Sequence, residues 1–319
     1  TTFPGREHDG TPRFILARAQ AIASEVDVLV VAPAPAGERS PTVGGVRVAW
    51  SRHLPRRLAA LPGDGILATL RHTPLRALEA PLFMVALTVR TLFAAVTHRP
   101  DVILAHWILP AGTIAVAVGR ALRRPVILTV HGADVHADLG RVLEGVRRWT
   151  LARVDAVAAV TRELADRVGV GPERVQPSGL DFDAWGRLVG PRRPEDGRVL
   201  FVGRLVQKKG LDVLLRAVAL APDLRLRVIG DGPDRAELRR VTERLGLGGR
   251  VEFLGRGTAE AVAAEMALAM VVAVPSRRGA DGDAEGFPNV ITEAVAAGAP
   301  VIASRLDGVA EHLVDRRTA

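Results

Sequence analysis

Cysteine and tyrosine are both absent from this 319-residue chain. Without thiols there are no disulfides and no thiolate metal sites, a composition compatible with a reducing cytoplasm. Aromatic residues make up only 4% of the chain. That is too few to interleave with basic residues in the way base-stacking modules require, so nucleic acid is not an expected partner. Lysine is almost missing too: all but two of the 43 basic residues are arginine, the exceptions being Lys208 and Lys209. No run reaches the roughly 20 uncharged apolar residues of a membrane-spanning helix, and the first residues carry no signal-peptide pattern. There is no Gly-x-Ser-x-Gly elbow, no Walker loop and no Cys/His metal cluster. The expectation is a cytoplasmic protein, soluble or peripheral on the inner face of the plasma membrane.

What is present is apolar residue, 48% of the total, and enough length for two ordinary domains with a core each. The net charge is +8, and +7 of it falls in residues 1–195. Residues 52–99 alone carry seven arginines and two acids among leucines and prolines. This stretch reads either as a solvated face or as a contact for an anionic surface.

Along the chain, short apolar runs alternate with helical spacing. Strands are predicted at 26–32, 46–50, 100–106, 125–131 and 156–160, with helices at 11–24, 111–122, 143–152 and 162–168 and mostly helical spacing over 54–98. Such alternation implies a parallel sheet covered on both faces. An α/β unit normally opens with a strand, whereas this chain opens on a helix, so a first strand is expected to be missing. Residues 172–194 are rich in Gly, Pro and charge and read as a connection. A second alternation follows, with strands at 199–202, 226–229, 251–254, 270–274 and 300–303. The domains are therefore set at 1–180 and 198–319, with 181–197 as linker. Ligands in two such domains are expected in a cleft at the carboxyl ends of the sheets.

The chemistry concentrates after the strand at 270–274. A Gly/Asp-rich loop leads to Pro288, which suits a first helical turn, and Gly298 with Pro300 ends the helix. Glu285 in the loop and Glu293 in the helix flank a helix start, where free amides hold an anion and carboxylates accept from hydroxyls. Taken alone, both acids also read as solvated surface residues. The string Glu285-Gly-Phe-Pro-Asn-Val-Ile-Thr-Glu293-Ala closely resembles the E-x7-E signature of the retaining GT-B glycosyltransferases of family GT4. Gly203-Arg-Leu-x4-Lys209-Gly is similar to that family's diphosphate clamp, with Lys208 an alternative only in a shifted register. His131-Gly-Ala-Asp134 is similar to its His-Gly-x-Asp segment.

The resemblance covers nearly the whole chain and implies a GT-B fold, two Rossmann-like parallel-sheet domains facing a cleft. It assigns the donor sugar to Glu285 and His131, the ribose to Glu293, and the diphosphate to Arg204, Lys209 and the amides of Gly286 and Phe287, ahead of Pro288. Gly203 and Gly230 would let backbone approach the donor. Arg256 either stacks on the base or has a capping or surface role. His106 and Asp134 fall on the acceptor side, with packing of Trp107 the equal alternative for the His106 segment. Family members end in helices that cross back to the first domain, and these too are expected to be missing. No cofactor is implied, and no metal, although Asp281 and Asp283 beside Glu285 were considered as ligands for a divalent ion. The implied partners are a UDP-, GDP- or ADP-sugar and a glycan or lipid-linked acceptor, in cell-surface polysaccharide or glycolipid synthesis, with an anionic membrane surface as a further partner. The alternatives are a GT-B sugar-nucleotide epimerase and a catalytically inactive membrane- or nucleic-acid-binding module.

Overall fold

The computed structural model describes residues 3–5, 14–35, 39–54, 78–136, 140–279 and 286–313. The chain forms two compact units: Thr1–Val135, Leu139–Val160 and Leu164–Gly179 make the first, and His136–Asp138, Thr161–Glu163 and Leu180–Ala319 the second.

In the first unit, β1 (Leu29–Pro33), β2 (Thr42–Val43) and β3 (Val46–Ser51) form one sheet in the order β1-β3-β2. β1 runs parallel to β3, whereas β2 is antiparallel to it. Gly44 and Gly45 join β2 to β3 at φ +53° and +81°. Positive φ at both residues is what a two-residue hairpin demands, and glycine supplies it without steric cost. A second, all-parallel sheet contains β4 (Ile103–His106), β5 (Val126–Val130) and β6 (Ala156–Ala159) in that order. Where the alternation predicts a single parallel sheet, the described residues thus hold two, one with an antiparallel edge. Of the helical stretch read over 54–98, Glu79–His98 is a helix and 55–77 lie outside the described residues.

The second unit holds one parallel sheet in the order β11-β10-β7-β8-β9: β7 (Arg198–Val202), β8 (Arg225–Ile229), β9 (Val251–Gly255), β10 (Val271–Val274) and β11 (Val301–Ala303). Its strands are short and apolar because both faces are covered. Val199, Phe201, Val271 and Ala273 pack into a core with Leu211, Leu215 and Leu247. Their neighbours Leu200, Val272 and Val274 pack into another with Met266, Ile291 and Ala294. A period of two thus builds two cores from one strand. Leu200 is fully buried, and its truncation to alanine is expected to cost about 2–5 kcal/mol.

The linker read at 181–197 needs correction. Phe182–Val189 is an α-helix, with Asp181 as N-cap accepting from the Ala184 amide at 2.8 Å. Its Trp185 and Val189, four residues apart on one face, belong to the same core as Leu200 and Ile291. Burying an indole outweighs the Gly- and Pro-rich flanks that suggested a bare connection.

Candidate functional site

From β7 the chain proceeds outward to β8 and β9, then returns to the other side of β7 as β10. That reversal is a topological switch point, and open α/β sheets bind ligands outside the carboxyl ends of the strands at such a point, here β7 and β10. The chain after β7 carries Gly203, Arg204 and Lys209, and the chain after β10 carries Gly286, Phe287 and Pro288. Gly203 and Leu205 are pinned by their amides to Ile229 O and Asp231 O, each at 3.0 Å, with Arg204 held between them. A 3-10 turn, Gln207–Lys209, follows. The Lys209 side chain runs back over Gly203, its Cδ and Cε 3.6 and 3.7 Å from where a Gly203 Cβ would stand. A Cβ at 203 would make only ordinary van der Waals contact with the lysine stem, so the stem does not itself demand glycine there.

Glu293 lies on the helix Asn289–Ala296. Burial pushes its carboxyl up to about 7, with the Lys209 ammonium pulling the other way. The Trp185 indole N–H donates to Glu293 O at 2.8 Å, fixing this turn of the helix from behind. Pro288 is the N-cap rather than a first-turn residue, with φ −67° and ψ 118°, and no side chain caps the helix start. Phe287 is partly buried against the core, edge-on to His312 with ring centroids 5.0 Å apart. Gly286 is buried, its carbonyl against Gly308. Glu285 and the considered metal ligands Asp281 and Asp283 lie outside the described residues.

A Cβ at Gly230 would overlap the Gly203 carbonyl oxygen, so the packing of one loop on the next requires glycine there. Arg256 is exposed beyond β9, the strand farthest from the switch point on its side of the sheet.

In the first unit, His106 and His131 stand at or just beyond the ends of the paired strands β4 and β5, with His106 Nδ1 2.9 Å from His131 Nε2. His131 also packs at a tilt against Trp107 and Phe14, at 4.9 and 5.3 Å between ring centroids. Trp107 adopts φ +68°, a backbone conformation that costs an L-residue on the order of 1–3 kcal/mol and here presents its ring to the histidine. Burial, reinforced by the Arg18 charge, pushes His106 down to about 3. Burial, then the neighbouring His106, holds His131 well below its usual value. Both rings are therefore neutral at pH 7, and in a neutral pair one N–H donates to the other ring. The two histidines are brought together, but Asp134 is not aimed at an acceptor. It is buried, and its carboxylate accepts from the amides of His131 and Gly132, both at 3.0 Å, and of Ile108 at 3.1 Å. Burial raises its pKa against the pull of those amides. Asp134 thus builds the turn that presents His131.

The sequence reading missed Arg277 and Asp212, which meet beside the 203–210 loop with Arg277 Nη2 3.0 and 3.1 Å from the two Asp212 oxygens. Position was the available signal: Arg277 follows the end of β10 by three residues, as Arg204 follows the end of β7 by two.

Comparison with known proteins agrees with the fold. The family model "Glycosyl transferase 4-like domain" matches residues 10–179, and "Glycosyl transferases group 1" matches residues 189–319. The GDP-mannose-dependent alpha-(1-6)-phosphatidylinositol monomannoside mannosyltransferase of Mycolicibacterium smegmatis is 32% identical over 231 residues, covering 66% of this chain and 59% of that protein. The putative colanic acid biosynthesis glycosyltransferase WcaL of Escherichia coli is 30% identical over 236 residues, 68% of this chain and 56% of its own. This chain thus spans under two thirds of the length of these relatives. Among solved structures, sucrose-phosphate synthase from Thermosynechococcus elongatus superposes with a TM-score of 0.64 at 23% identity, over 92% of this chain and 75% of that one. Anabaena Alr3699/HepE, solved in complex with UDP, gives 0.58 at 21% identity, over 85% and 70%. With both units matched by family models and the fold shared with these structures, the chain belongs to the GT4-like glycosyltransferases of the GT-B fold.

Proposed function

We propose that the chain carries the donor site of a retaining glycosyltransferase that moves a sugar from a nucleotide-sugar to a glycan or lipid-linked acceptor. The observation that carries this reading is the placement of Lys209 over Gly203 at the switch point of the second unit's sheet, where its charge favours ionisation of Glu293. A cation near an uncapped helix start that carries a buried carboxyl in its second turn suits a nucleoside diphosphate. The phosphates go to Arg204 and Lys209 with the Gly286 and Phe287 amides, and the ribose hydroxyls to Glu293. Glu285 and a neutral His131 are assigned to the sugar by the family pattern.

In the reaction, the bond from the anomeric carbon to the diphosphate oxygen breaks and a bond to the acceptor oxygen forms on the same face. The acceptor proton passes to the departing phosphate oxygen. Charge develops on that phosphate as the bond lengthens, and the two cations stabilise it more in the transition state than in the bound donor. In this reading they serve where other sites use a divalent ion, so no metal or cofactor is required.

For the acceptor we favour a lipid-linked glycan met at an anionic membrane surface. On the helix Glu79–His98, Leu82, Val85, Val89, Phe93 and Val96 lie along one face, each more than half exposed, while Phe83, Leu87 and Ala95 pack inward with Ile114 and Val118. By length and composition this helix is apolar enough to cross a membrane, but its packed inner face suits burial of one side only. Arg52, Arg56, Arg57, Arg71 and Arg76 precede it in sequence and suit anionic headgroups; of these only Arg52 lies within the described residues. The names of the mycobacterial relatives, which act on a phosphatidylinositol monomannoside, support the same class.

A thermal-shift and calorimetric screen against UDP, GDP, ADP and their sugars tests the donor site. Binding of at least one diphosphate, weakened tenfold or more by Arg204→Ala, is the expected result. No stabilisation by any of them contradicts the reading.

A further inference from the structure

We infer that Arg277 is a positioning residue for the diphosphate loop, holding Lys209 in place without touching the phosphates itself. The inference rests on the donor-site reading above. Lys209 closes the 3-10 turn Gln207–Lys209, and the loop around it is gripped from the chain that leaves β10. Gly210, at φ +69°, presses on Pro275 so closely that a Cβ would overlap the Pro275 carbonyl oxygen. Two residues on, the Arg277 amide donates to Lys208 O at 2.7 Å and its Nε to Gln207 O at 3.1 Å. Its Nη2 reaches both oxygens of Asp212, in the first turn of the helix Leu211–Leu220, at 3.0 and 3.1 Å. One guanidinium therefore ties Gln207, before Lys209, to Asp212, after it.

The chemistry separates Arg277 from the phosphate-binding cations. Its charge is already met by Asp212, whereas the Lys209 side chain runs back over Gly203 at the end of β7. Holding the Gln207 carbonyl on the Arg277 guanidinium also matters to an anion, whereas the backbone bond to Lys208 O persists whatever the side chain. Released, the Gln207 oxygen is free to turn towards the diphosphate, which repels it. A planar fork suits such a clamp, since it meets a carbonyl and a carboxylate at fixed angles and a lysine cannot. The strand that leads into the Glu285 loop would thereby also set the geometry of the loop after β7, coupling both sides of the switch point.

The test is calorimetry with UDP, GDP and ADP, and with the matching nucleosides by competition, on the wild type, Arg277→Ala, Arg277→Lys, Asp212→Ala and the Arg277→Ala/Asp212→Ala pair. We expect Arg277→Ala to lower diphosphate affinity about tenfold, with nucleoside affinity unchanged and Arg277→Lys in between. Asp212→Ala is expected to match Arg277→Ala, and the pair to be no worse than either alone. Tighter diphosphate binding by Asp212→Ala would mean that Arg277 is itself a phosphate ligand and would overturn the inference. Equal losses for nucleoside and diphosphate, or unchanged affinity in Arg277→Ala and Arg277→Lys, would overturn it too while leaving the donor site standing. Absence of any diphosphate binding by the wild type removes the donor-site reading and this inference together.

Discussion

Replacing Glu293 by glutamine separates what this carboxyl costs the fold from what it contributes to binding. Burial raises its pKa from 4.5 to about 7, so the folded state holds a proton that the unfolded chain releases. The sign follows directly. The associated stability is fully present below about pH 4.5 and is lost as pH rises through about 7, an amount of about 3 kcal/mol at 1.36 kcal/mol per unit. Glutamine keeps the shape and cannot ionise. The variant should therefore match the wild type at pH 4 and exceed it by about 2–3 kcal/mol at pH 8. Denaturant unfolding of both proteins from pH 4 to 9 measures this, and the difference between them cancels every other titrating group. Nucleotide binding should show the opposite trend. If ribose hydroxyls donate to the carboxylate, binding releases a proton near neutral pH, and wild-type affinity rises with pH up to about 7. Calorimetry in buffers of differing ionisation enthalpy counts that proton, and glutamine should abolish it. Parallel stability profiles for the two proteins would refute the burial argument, and proton release unchanged in the variant would refute the ribose assignment.

Gly230→Ala forces a methyl onto the Gly203 carbonyl and should lower both thermal stability and diphosphate affinity, since it shifts the loop that carries Arg204; a variant with wild-type melting temperature and affinity would contradict this. Glu265, although burial opposes its ionisation, is held below its usual pKa by hydrogen bonds from Arg227 and Arg198. Its contribution is therefore present above its unfolded pKa and lost as pH falls through the folded value, and Glu265→Gln should cost about 1–3 kcal/mol at pH 7 but little in strong acid, as read by urea unfolding. Val89→Asp together with Phe93→Asp should abolish co-sedimentation with phosphatidylglycerol-rich liposomes at low salt while leaving nucleotide binding intact; retained lipid binding would clear this helix face of the role. His106→Asn should impair turnover more than donor affinity by releasing the His131 ring, and steady-state kinetics showing only a raised KM would argue against that pairing.

Much of this architecture is visible in the sequence for a simple physical reason. Strands buried on both faces must be short apolar runs, and 199–202, 226–229 and 251–254 each overlap an observed strand within a residue or two. The helix at 162–168 coincides with Arg162–Val168. Legibility fails where a local signal competes with packing. Phe182–Val189 sits among glycines, prolines and charges, and its helical identity rests on one N-cap and one buried indole. The antiparallel edge β2 is two residues long and depends on a Gly-Gly turn. In the site, the Lys209 charge acts on the buried Glu293 carboxyl, whereas Asp134 and Gly230 serve loops. Glycine and aspartate do both jobs with the same local pattern, and only the partner atoms tell them apart. Arg277 escaped because its partners, Gln207 and Asp212, lie about 65–70 residues away in sequence.

The most direct test of the donor site is calorimetric titration of the wild type and the Arg204→Ala/Lys209→Ala double variant with UDP, GDP and ADP. The account predicts that the wild type binds at least one of them and that the double variant, still folded by circular dichroism, binds it at least a hundredfold more weakly, the loss of two charge-assisted contacts of roughly 1.5–3 kcal/mol each. Equal affinity in the two proteins would contradict it.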